Sequence, residues 1–193
     1  GVIDDRHALA LNIGTGHMLW PRVDVVLAVG TRMQTAIQVW GDRDELKVIH
    51  IEIDPEEMAR IRRPDVAIAA DAGLALAALL DALPGRLGRR ADRSAEMDEL
   101  RARFARTAEQ IAPQLAWLAA IRAELPEEGI FVDEVTQIGH VARLGFPVWR
   151  PRSFLTPGFQ GTLGWGVATA VGAQAAEPDR PLVCIAGDGG FMF

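Results

Sequence analysis

The stretch that decides the fold of this chain is LVCIAGDGG, residues 182–190. Its first five residues are apolar, which predicts a buried strand of a parallel sheet. That strand runs into Gly187 and Asp188 at its carboxyl end. A carboxylate there can bind a hard divalent cation, and flanking glycines let backbone N–H groups approach phosphate oxygens. Because Asp-Gly is also a common turn, this stretch alone leaves both interpretations open.

A glycine-rich segment precedes this strand. It leads into a helix of small residues predicted over 163–176, and its glycines are Gly158, Gly161, Gly164 and Gly166. These glycines permit either close backbone approach to a planar ligand or tight packing of the helix on a sheet, and both interpretations stay open. A strand predicted at 130–132 and a short helix at 135–143 make this region a second α/β unit.

The first half of the chain carries its own alternation of strands and helices. Strands are predicted at 24–30, 47–54 and 66–69. Asp71 is predicted to cap a helix that runs to Leu83. We expect a parallel sheet whose loops after Gly30 and Asp54 lie at its carboxyl edge, where such sheets bind ligands.

The middle of the chain is charged. Residues 85–94 are predicted to be a linker, and their arginines, including Arg89, are interpreted as solvated rather than phosphate-binding. From Met97 onward apolar residues recur at helical spacing. Pro113 is predicted to break this pattern into two helices.

Composition excludes several classes of protein. Twenty basic against 26 acidic residues give a net charge of −6, which argues against nucleic-acid partners. The single cysteine allows no intrachain disulfide and favours a reducing compartment. No apolar run reaches the roughly 20 residues of a membrane span, and the opening residues lack the apolar region of a signal peptide. We therefore predict a cytoplasmic protein without a membrane partner.

Other reactive motifs are missing from the sequence. It contains no P-loop, no nucleophile elbow and no complete dinucleotide-binding fingerprint after a strand. The four histidines have no partners at zinc-ligand spacing. His50 is interpreted as a packed histidine, and Cys184 as a buried structural thiol rather than a nucleophile.

Taken together, these segments closely resemble the thiamine-diphosphate-dependent enzymes of the acetolactate synthase and benzoylformate decarboxylase group. The resemblance is carried by the order of glycine-rich loop, small-residue helix, apolar strand and GDGG, and by segments 24–33, 47–60 and 64–71. It implies an α/β fold: a Rossmann-like central domain with a parallel sheet, followed by the opening part of a diphosphate-binding domain. The implied limits are 1–84 for the later part of the central domain, 85–94 for the linker and 95–193 for the second domain.

The resemblance implies a set of residues around the cofactor diphosphate. By similarity, Asp188 binds Mg²⁺, and the amides of Gly189 and Gly190 lie beside the diphosphate. Gln137 matches a position that contacts the same group. Ile138 departs from the histidine that is common next to it, so one phosphate donor is missing here.

By the same resemblance, the glycine-rich loop binds the part of the cofactor that carries the exocyclic amine. The Gly161 carbonyl would accept a hydrogen bond from the exocyclic amine, and Leu163 would be the apolar wedge that keeps the cofactor bent. Phe159 and Gln160 replace the common Gly-Leu of the family, which leaves the subgroup open.

The implied function is that of a thiamine-diphosphate and Mg²⁺ enzyme acting on small 2-oxo acids. Carboligation after decarboxylation, as in acetolactate synthase, is the first expectation. A simple 2-oxo acid decarboxylase and a non-catalytic nucleotide-binding relative are the alternatives. In this family some central domains also carry FAD or ADP, for which the Gly30 and Asp54 loops are the contact points, and a homo-oligomer is expected.

We also expect the chain to be a fragment of a longer protein. It starts without methionine and ends in three large apolar residues, Phe191, Met192 and Phe193. By the resemblance, the activating glutamate and the second metal ligand lie outside these residues. The isolated chain is therefore expected to be inactive.

Overall fold

The computed structural model describes residues 2–88, 90–158 and 160–193. The chain divides into two units, Gly16–Asp92 on the one hand and Gly1–Thr15 with Arg93–Phe193 on the other. Each unit contains a three-stranded parallel sheet. The predicted domain limits, with a linker at 85–94, stay a prediction, and Arg89 within that linker lies outside the described residues.

The sheet of Gly16–Asp92 contains the three strands that the sequence predicts. They are β1 (Val25–Val29), β2 (Lys47–Glu52) and β3 (Val66–Ala69). Their order is β1-β2-β3 and both pairings are parallel, with Ile51 opposite Val29 on one side and Ile68 on the other. The prediction of a parallel α/β sheet here is confirmed.

Helical segments surround this sheet. They are α1 (Ile13–Leu19), a 3₁₀ turn (Trp20–Arg22), a π-helix (Ala36–Trp40), α2 (Pro55–Met58) and α3 (Ala72–Ala82). Only α3 follows from the sequence pattern, because the others are too short to show a helical period. The core of this unit is formed by Trp20, Ile37, Leu46 and Val48.

Asp71 caps α3 as the sequence predicts. Its Oδ1 accepts a hydrogen bond of 3.0 Å from the backbone N–H of Leu74. Replacing Asp71 by Ala should lower the free energy of unfolding by about 1 kcal/mol, because one N–H of the first turn loses its acceptor. Chemical denaturation measures this loss. Asp71→Asn keeps the accepting oxygen, so an equal loss in both variants would contradict the cap.

Among its described residues, the second unit contains five α-helices from Ser94 onward and three strands. They are α4 (Ser94–Thr107), α5 (Ala112–Glu124), β4 (Ile130–Val132), α6 (Gln137–Gly145), β5 (Phe154–Leu155), α7 (Trp165–Ala176), β6 (Leu182–Cys184) and α8 (Asp188–Phe191). The sheet order is β5-β4-β6, and both pairings are parallel. The strand predicted at 130–132 is confirmed. The buried strand predicted over 182–186 is present but ends at Cys184 and is half-buried, and the two-residue β5 was missed.

The helix break predicted at Pro113 lies earlier in the chain. Helix α4 ends at Thr107, a 3₁₀ turn covers Glu109–Ile111, and Pro113 stands in the first turn of α5. A proline is tolerated there because its missing N–H has no acceptor in the first turn. Proline therefore begins the second helix rather than ending the first.

The central strand of this second sheet, β4, is fully buried, whereas β5 and β6 are half-buried. Phe131 and Val132 are both 0% exposed. Phe131 stacks on Phe146 with ring centroids 4.3 Å apart, and Leu118 and Val141 belong to the same cluster. The core lies between the sheet and helices α5 and α6, which fixes the position of the loop between β4 and α6.

None of the helices in the described part of the chain is long and apolar enough to span a membrane.

Candidate functional site

The loops that follow β4, β5 and β6 form the candidate site. Because the three strands are parallel, their carboxyl ends lie at one edge of the sheet, which is where open α/β sheets bind ligands. The residues predicted to bind the cofactor all belong to these loops or to the helix starts that follow them: Gln137, Gly161, Leu163, Asp188, Gly189 and Gly190.

One buried side chain in the loop after β4 contacts the segments that follow β5 and β6. Glu134, in the loop after β4, is 1% exposed, and its Oε1 accepts a 2.6 Å hydrogen bond from the N–H of Gly164. A Cβ added at Gly190 would lie 2.2 Å from the same oxygen, and one at Gly166 would lie 2.7 Å from Oε2. Both glycines therefore leave the space that the Glu134 carboxylate fills.

These distances divide the glycines of the loop into two groups. A Cβ at Gly166 would meet the Glu134 side chain, and a Cβ at Gly164 would lie 2.7 Å from the Cβ of Phe193, so tight packing explains both glycines. Gly158 and Gly161 have φ angles of +63° and +58°, and a Cβ at either would have no neighbour closer than 4.0 Å. From the sequence, these glycines could serve either close packing or the approach of a ligand. In the structure, Gly164 and Gly166 are closely packed, whereas the backbone at Gly158 and Gly161 is open.

The Asp188 segment lies at the exposed rim of this edge. Asp188 is exposed, and its Oδ1 accepts a 2.8 Å hydrogen bond from the N–H of Gly189. Gly189 is exposed, with no atom within 4 Å of an added Cβ. Gly190 is buried against Glu134. Solvent therefore reaches the Asp188 carboxylate and Gly189.

The remaining predicted residues are also accessible. Gln137 is exposed at the start of α6, with its Oε1 3.5 Å from Nε2 of Gln114. Leu163 is 48% exposed. It lies in the loop, because α7 begins at Trp165 rather than at 163 as predicted. Phe159 lies outside the described residues.

The protein side chains at this edge can bind Mg²⁺ only if phosphate oxygens and water supply the remaining metal ligands. Among residues 2–88, 90–158 and 160–193, no three His, Cys, Asp or Glu side chains are grouped closely enough to hold a metal. Mg²⁺ is commonly bound by one or two carboxylates together with phosphate oxygens and water. The exposed carboxylate of Asp188 fits that mode of binding.

The two reactive side chains singled out from the sequence are structural. His50 is 3% exposed, and its Nδ1 lies 3.1 Å from the Met58 carbonyl oxygen, which confirms a packed histidine. Cys184 is half-buried, and burial raises the pKa of its thiol. A raised pKa disfavours the thiolate, in agreement with a structural role.

Sequence reasoning missed the acidic pair at the end of β4. Asp133 is 0% exposed and lies beside Glu134. Burial raises the pKa of the Asp133 carboxyl to about 6, although the Thr156 hydroxyl and the charge of Arg143, whose Nε is 3.9 Å away, oppose that rise. Two carboxylates directly after an apolar strand were the available signal, since such residues lie at the carboxyl edge of the sheet.

The raised pKa of Asp133 should make stability depend on pH. A carboxyl whose pKa is higher in the folded state stabilises the fold below its ordinary pKa of 3.8, and this contribution is lost as the pH rises through about 6. Between about pH 4 and pH 7 the free energy of unfolding should therefore fall by roughly 2–3 kcal/mol more in the unaltered protein than in Asp133→Asn. Urea denaturation across this range measures it, and parallel pH profiles would contradict it.

Two segments of the chain match known families. Residues 134–193 match the family described as "Thiamine pyrophosphate enzyme, C-terminal TPP binding domain". Residues 1–79 match "Thiamine pyrophosphate enzyme, central domain". The chain belongs to the thiamine pyrophosphate enzyme family. The resemblance drawn from the sequence is thereby confirmed, together with the order of central and C-terminal domains.

Several curated proteins are similar to this family member along nearly its whole length. A probable 2-ketoarginine decarboxylase of Pseudomonas aeruginosa is 34% identical over 187 residues, covering 95% of this chain and 33% of that protein. The acetolactate synthase isozyme 1 large subunit of Escherichia coli is 29% identical, covering 100% of this chain and 36% of that subunit. The acetolactate synthase large subunit of Corynebacterium glutamicum is 33% identical, covering 89% and 29%. The chain thus spans about a third of the length of these relatives.

Proposed function

We propose that the protein containing this chain is a thiamine-diphosphate and Mg²⁺ enzyme that acts on small 2-oxo acids. We propose further that it ligates the decarboxylated substrate to a second carbonyl compound, as the acetolactate synthases it resembles do by name. The observation that carries this proposal is that Glu134, after β4, contacts the segments after β5 and β6, at the sheet edge where the predicted cofactor residues lie in the loops and helix starts. The match to thiamine pyrophosphate domains supports the same cofactor.

Asp188 has the central role in this proposal. Its carboxylate would hold Mg²⁺, which would supply positive charge for the negatively charged diphosphate. The amides of Gly189 and Gly190 and the side-chain amide of Gln137 would bind the diphosphate. The exposure of Asp188, Gly189 and Gln137 supports these roles, since a bound ligand has to reach them.

Gly161 and Leu163 hold the other end of the cofactor. The Gly161 carbonyl would accept a hydrogen bond from the cofactor amine. Glycine tolerates the φ of +58° at this position, and no atom lies closer than 4.0 Å to an added Cβ, so the backbone is open to a ligand. Leu163 presents its half-exposed side chain as an apolar support. When bound, thiamine diphosphate supplies the carbon nucleophile and the electron sink, while the protein orients it.

The family resemblance also extends to FAD or ADP in the unit with β1 and β2. Gly30 follows β1 with φ +56° and open space around an added Cβ. Asp54 follows β2, where its Oδ1 already accepts a 2.9 Å hydrogen bond from the N–H of Glu56 and caps α2. We propose that any nucleotide contact here runs through the Gly30 backbone. We also propose that the full-length enzyme is a homo-oligomer located in the cytoplasm.

Calorimetric titration of thiamine diphosphate into the full-length protein tests the proposal, with and without Mg²⁺. Binding that requires the metal is the expected result. Absence of binding in both titrations would overturn the proposal and favour a non-catalytic relative. Product analysis with a 2-oxo acid then separates the reactions, because carboligation yields a product with a new carbon–carbon bond, whereas simple decarboxylation yields an aldehyde.

A further inference from the structure

Glu134, in the loop after β4, contacts the segments that follow β5 and β6, and the proposed function assigns it no contact with the cofactor. Burying a carboxylate costs free energy unless its oxygens are paired. Oε1 is paired with the N–H of Gly164, whereas Oε2 has no hydrogen-bond partner among the described residues. The free energy that burial of this carboxylate costs has to be offset by other interactions that Glu134 makes in the folded protein.

The first contribution concerns the loop before α7. Gly164 has a φ of +79° and immediately precedes the helix. Its N–H donates the 2.6 Å hydrogen bond to Glu134, so the backbone next to Leu163 is tied to the end of β4. Gly164 also packs against Phe193, whose Cβ would lie 2.7 Å from an added Cβ. Loss of the hydrogen bond removes the link between the end of β4 and this loop, which is exposed at Gly161 and Leu163.

The second contribution concerns the Asp188 segment. Gly190 is buried so tightly against Glu134 that an added Cβ would lie 2.2 Å from Oε1 and 2.7 Å from Cδ. The carboxylate is therefore a spacer that sets how closely this segment approaches β4. Asp188 lies two residues before Gly190 in the same short helix α8, so the contact at Gly190 also positions Asp188.

We propose that Glu134 is a positioning residue that sets the separation between the Leu163 loop and the Asp188 segment. Through this separation it determines the affinity for Mg²⁺ and thiamine diphosphate without touching either. The inference rests on the proposed function, because it assigns the two segments to opposite ends of one cofactor. The physical basis of the inference is the length of the Glu134 side chain, called its reach below. The side chain must be long enough to accept a hydrogen bond from the Gly164 N–H and at the same time to fill the space at Gly190.

Three substitutions separate reach from charge. Glu134→Gln keeps the length and an accepting oxygen but removes the carboxylate. Glu134→Asp keeps the carboxylate but is one methylene shorter, so it cannot reach the Gly164 N–H without movement of the backbone. Glu134→Ala removes both. The matched control is Val132→Ala, which truncates a fully buried side chain two residues away and leaves the glycine contacts intact.

The measurement is the dissociation constant of thiamine diphosphate at saturating Mg²⁺, by calorimetry on the full-length protein well below its unfolding temperature. A titration of Mg²⁺ at fixed cofactor accompanies it. Glu134→Asp and Glu134→Ala should each weaken cofactor binding about tenfold or more, which is about 1.4 kcal/mol or more. Glu134→Gln and Val132→Ala should stay within about threefold of the unaltered protein.

Each other outcome overturns the inference. Wild-type affinity in Glu134→Asp would show that reach is irrelevant, and equal loss in Glu134→Gln would assign the effect to charge. Equal loss in Val132→Ala would assign it to general destabilisation. If Glu134→Ala does not fold, the dissociation constants of Glu134→Gln and Glu134→Asp are sufficient to test the inference. Failure of the unaltered protein to bind would instead overturn the proposed function, and this inference with it.

Discussion

Gly139→Ala should lower the free energy of unfolding by about 3 kcal/mol or more. A Cβ at this buried position would lie 1.9 Å from the backbone oxygen of Glu134 and 3.1 Å from its carbonyl carbon. A backbone carbonyl cannot rotate away as a side chain can, so the start of α6 has to shift as a whole. Urea denaturation followed by circular dichroism measures the loss.

Gly172→Ala is the matched control for this prediction. Gly172 lies inside α7, is exposed, and has no atom within 4 Å of an added Cβ. The same substitution there should raise the free energy of unfolding by about 0.5–1 kcal/mol, because alanine loses less backbone entropy than glycine in a helix. Changes of the same sign in both variants would contradict the steric explanation at Gly139.

Asp188→Ala should weaken the Mg²⁺-dependent binding of thiamine diphosphate about a hundredfold or more. Changing a group that only supports a metal ligand costs roughly 10–100-fold in affinity, and removing a ligand itself costs at least as much. Because Asp188 is exposed, its loss should change the free energy of unfolding by less than about 0.5 kcal/mol. Calorimetric titration and denaturation of the same preparation measure the two quantities.

The control for Asp188 is Asp179→Ala. Asp179 is an exposed aspartate in the turn before β6, at the amino end of the strand that Asp188 follows. It changes the net charge equally but lies at the opposite edge of the sheet, so cofactor affinity should stay within about threefold. An equal loss in both variants would show that charge alone, rather than coordination at Asp188, determines binding.

The regular parts of the fold could be predicted from the sequence. Strands β1, β2, β3, β4 and β6 each show an apolar run bounded by a turn signal, and the cap at Asp71 follows from its place before a helical pattern. Boundaries were less accurate. Helix α6 runs over Gln137–Gly145 rather than 135–143, because Thr136 accepts from the Gly139 N–H and starts the helix there.

The short elements could not be predicted. Strand β5 has two residues and α2 has four, too few to show a period. The π-helix at Ala36–Trp40 depends on contacts distant in sequence, since Trp40 packs edge-on against Trp20 at 5.5 Å. Contacts between residues distant in sequence do not show in the local sequence pattern, so the π-helix could not be predicted from it.

For the candidate site, the sequence by itself predicted the residues that are proposed to bind the cofactor. Asp188 after an apolar strand, and Gly161 and Leu163 in a glycine-rich loop, are local patterns, because strand polarity and glycine freedom act over neighbouring residues. The sequence also determined the family, through the order of these patterns.

Only the tertiary structure decided how the patterns meet. Glu134 is one carboxylate among many in the sequence, yet its burial between Gly164 and Gly190, 30 and 56 positions further along the chain, joins the three loops. Burial likewise raises the pKa of its neighbour Asp133 to about 6. The physical reason is the same for both side chains: solvent exclusion and close packing are properties of the folded core, and no run of neighbouring residues encodes them alone.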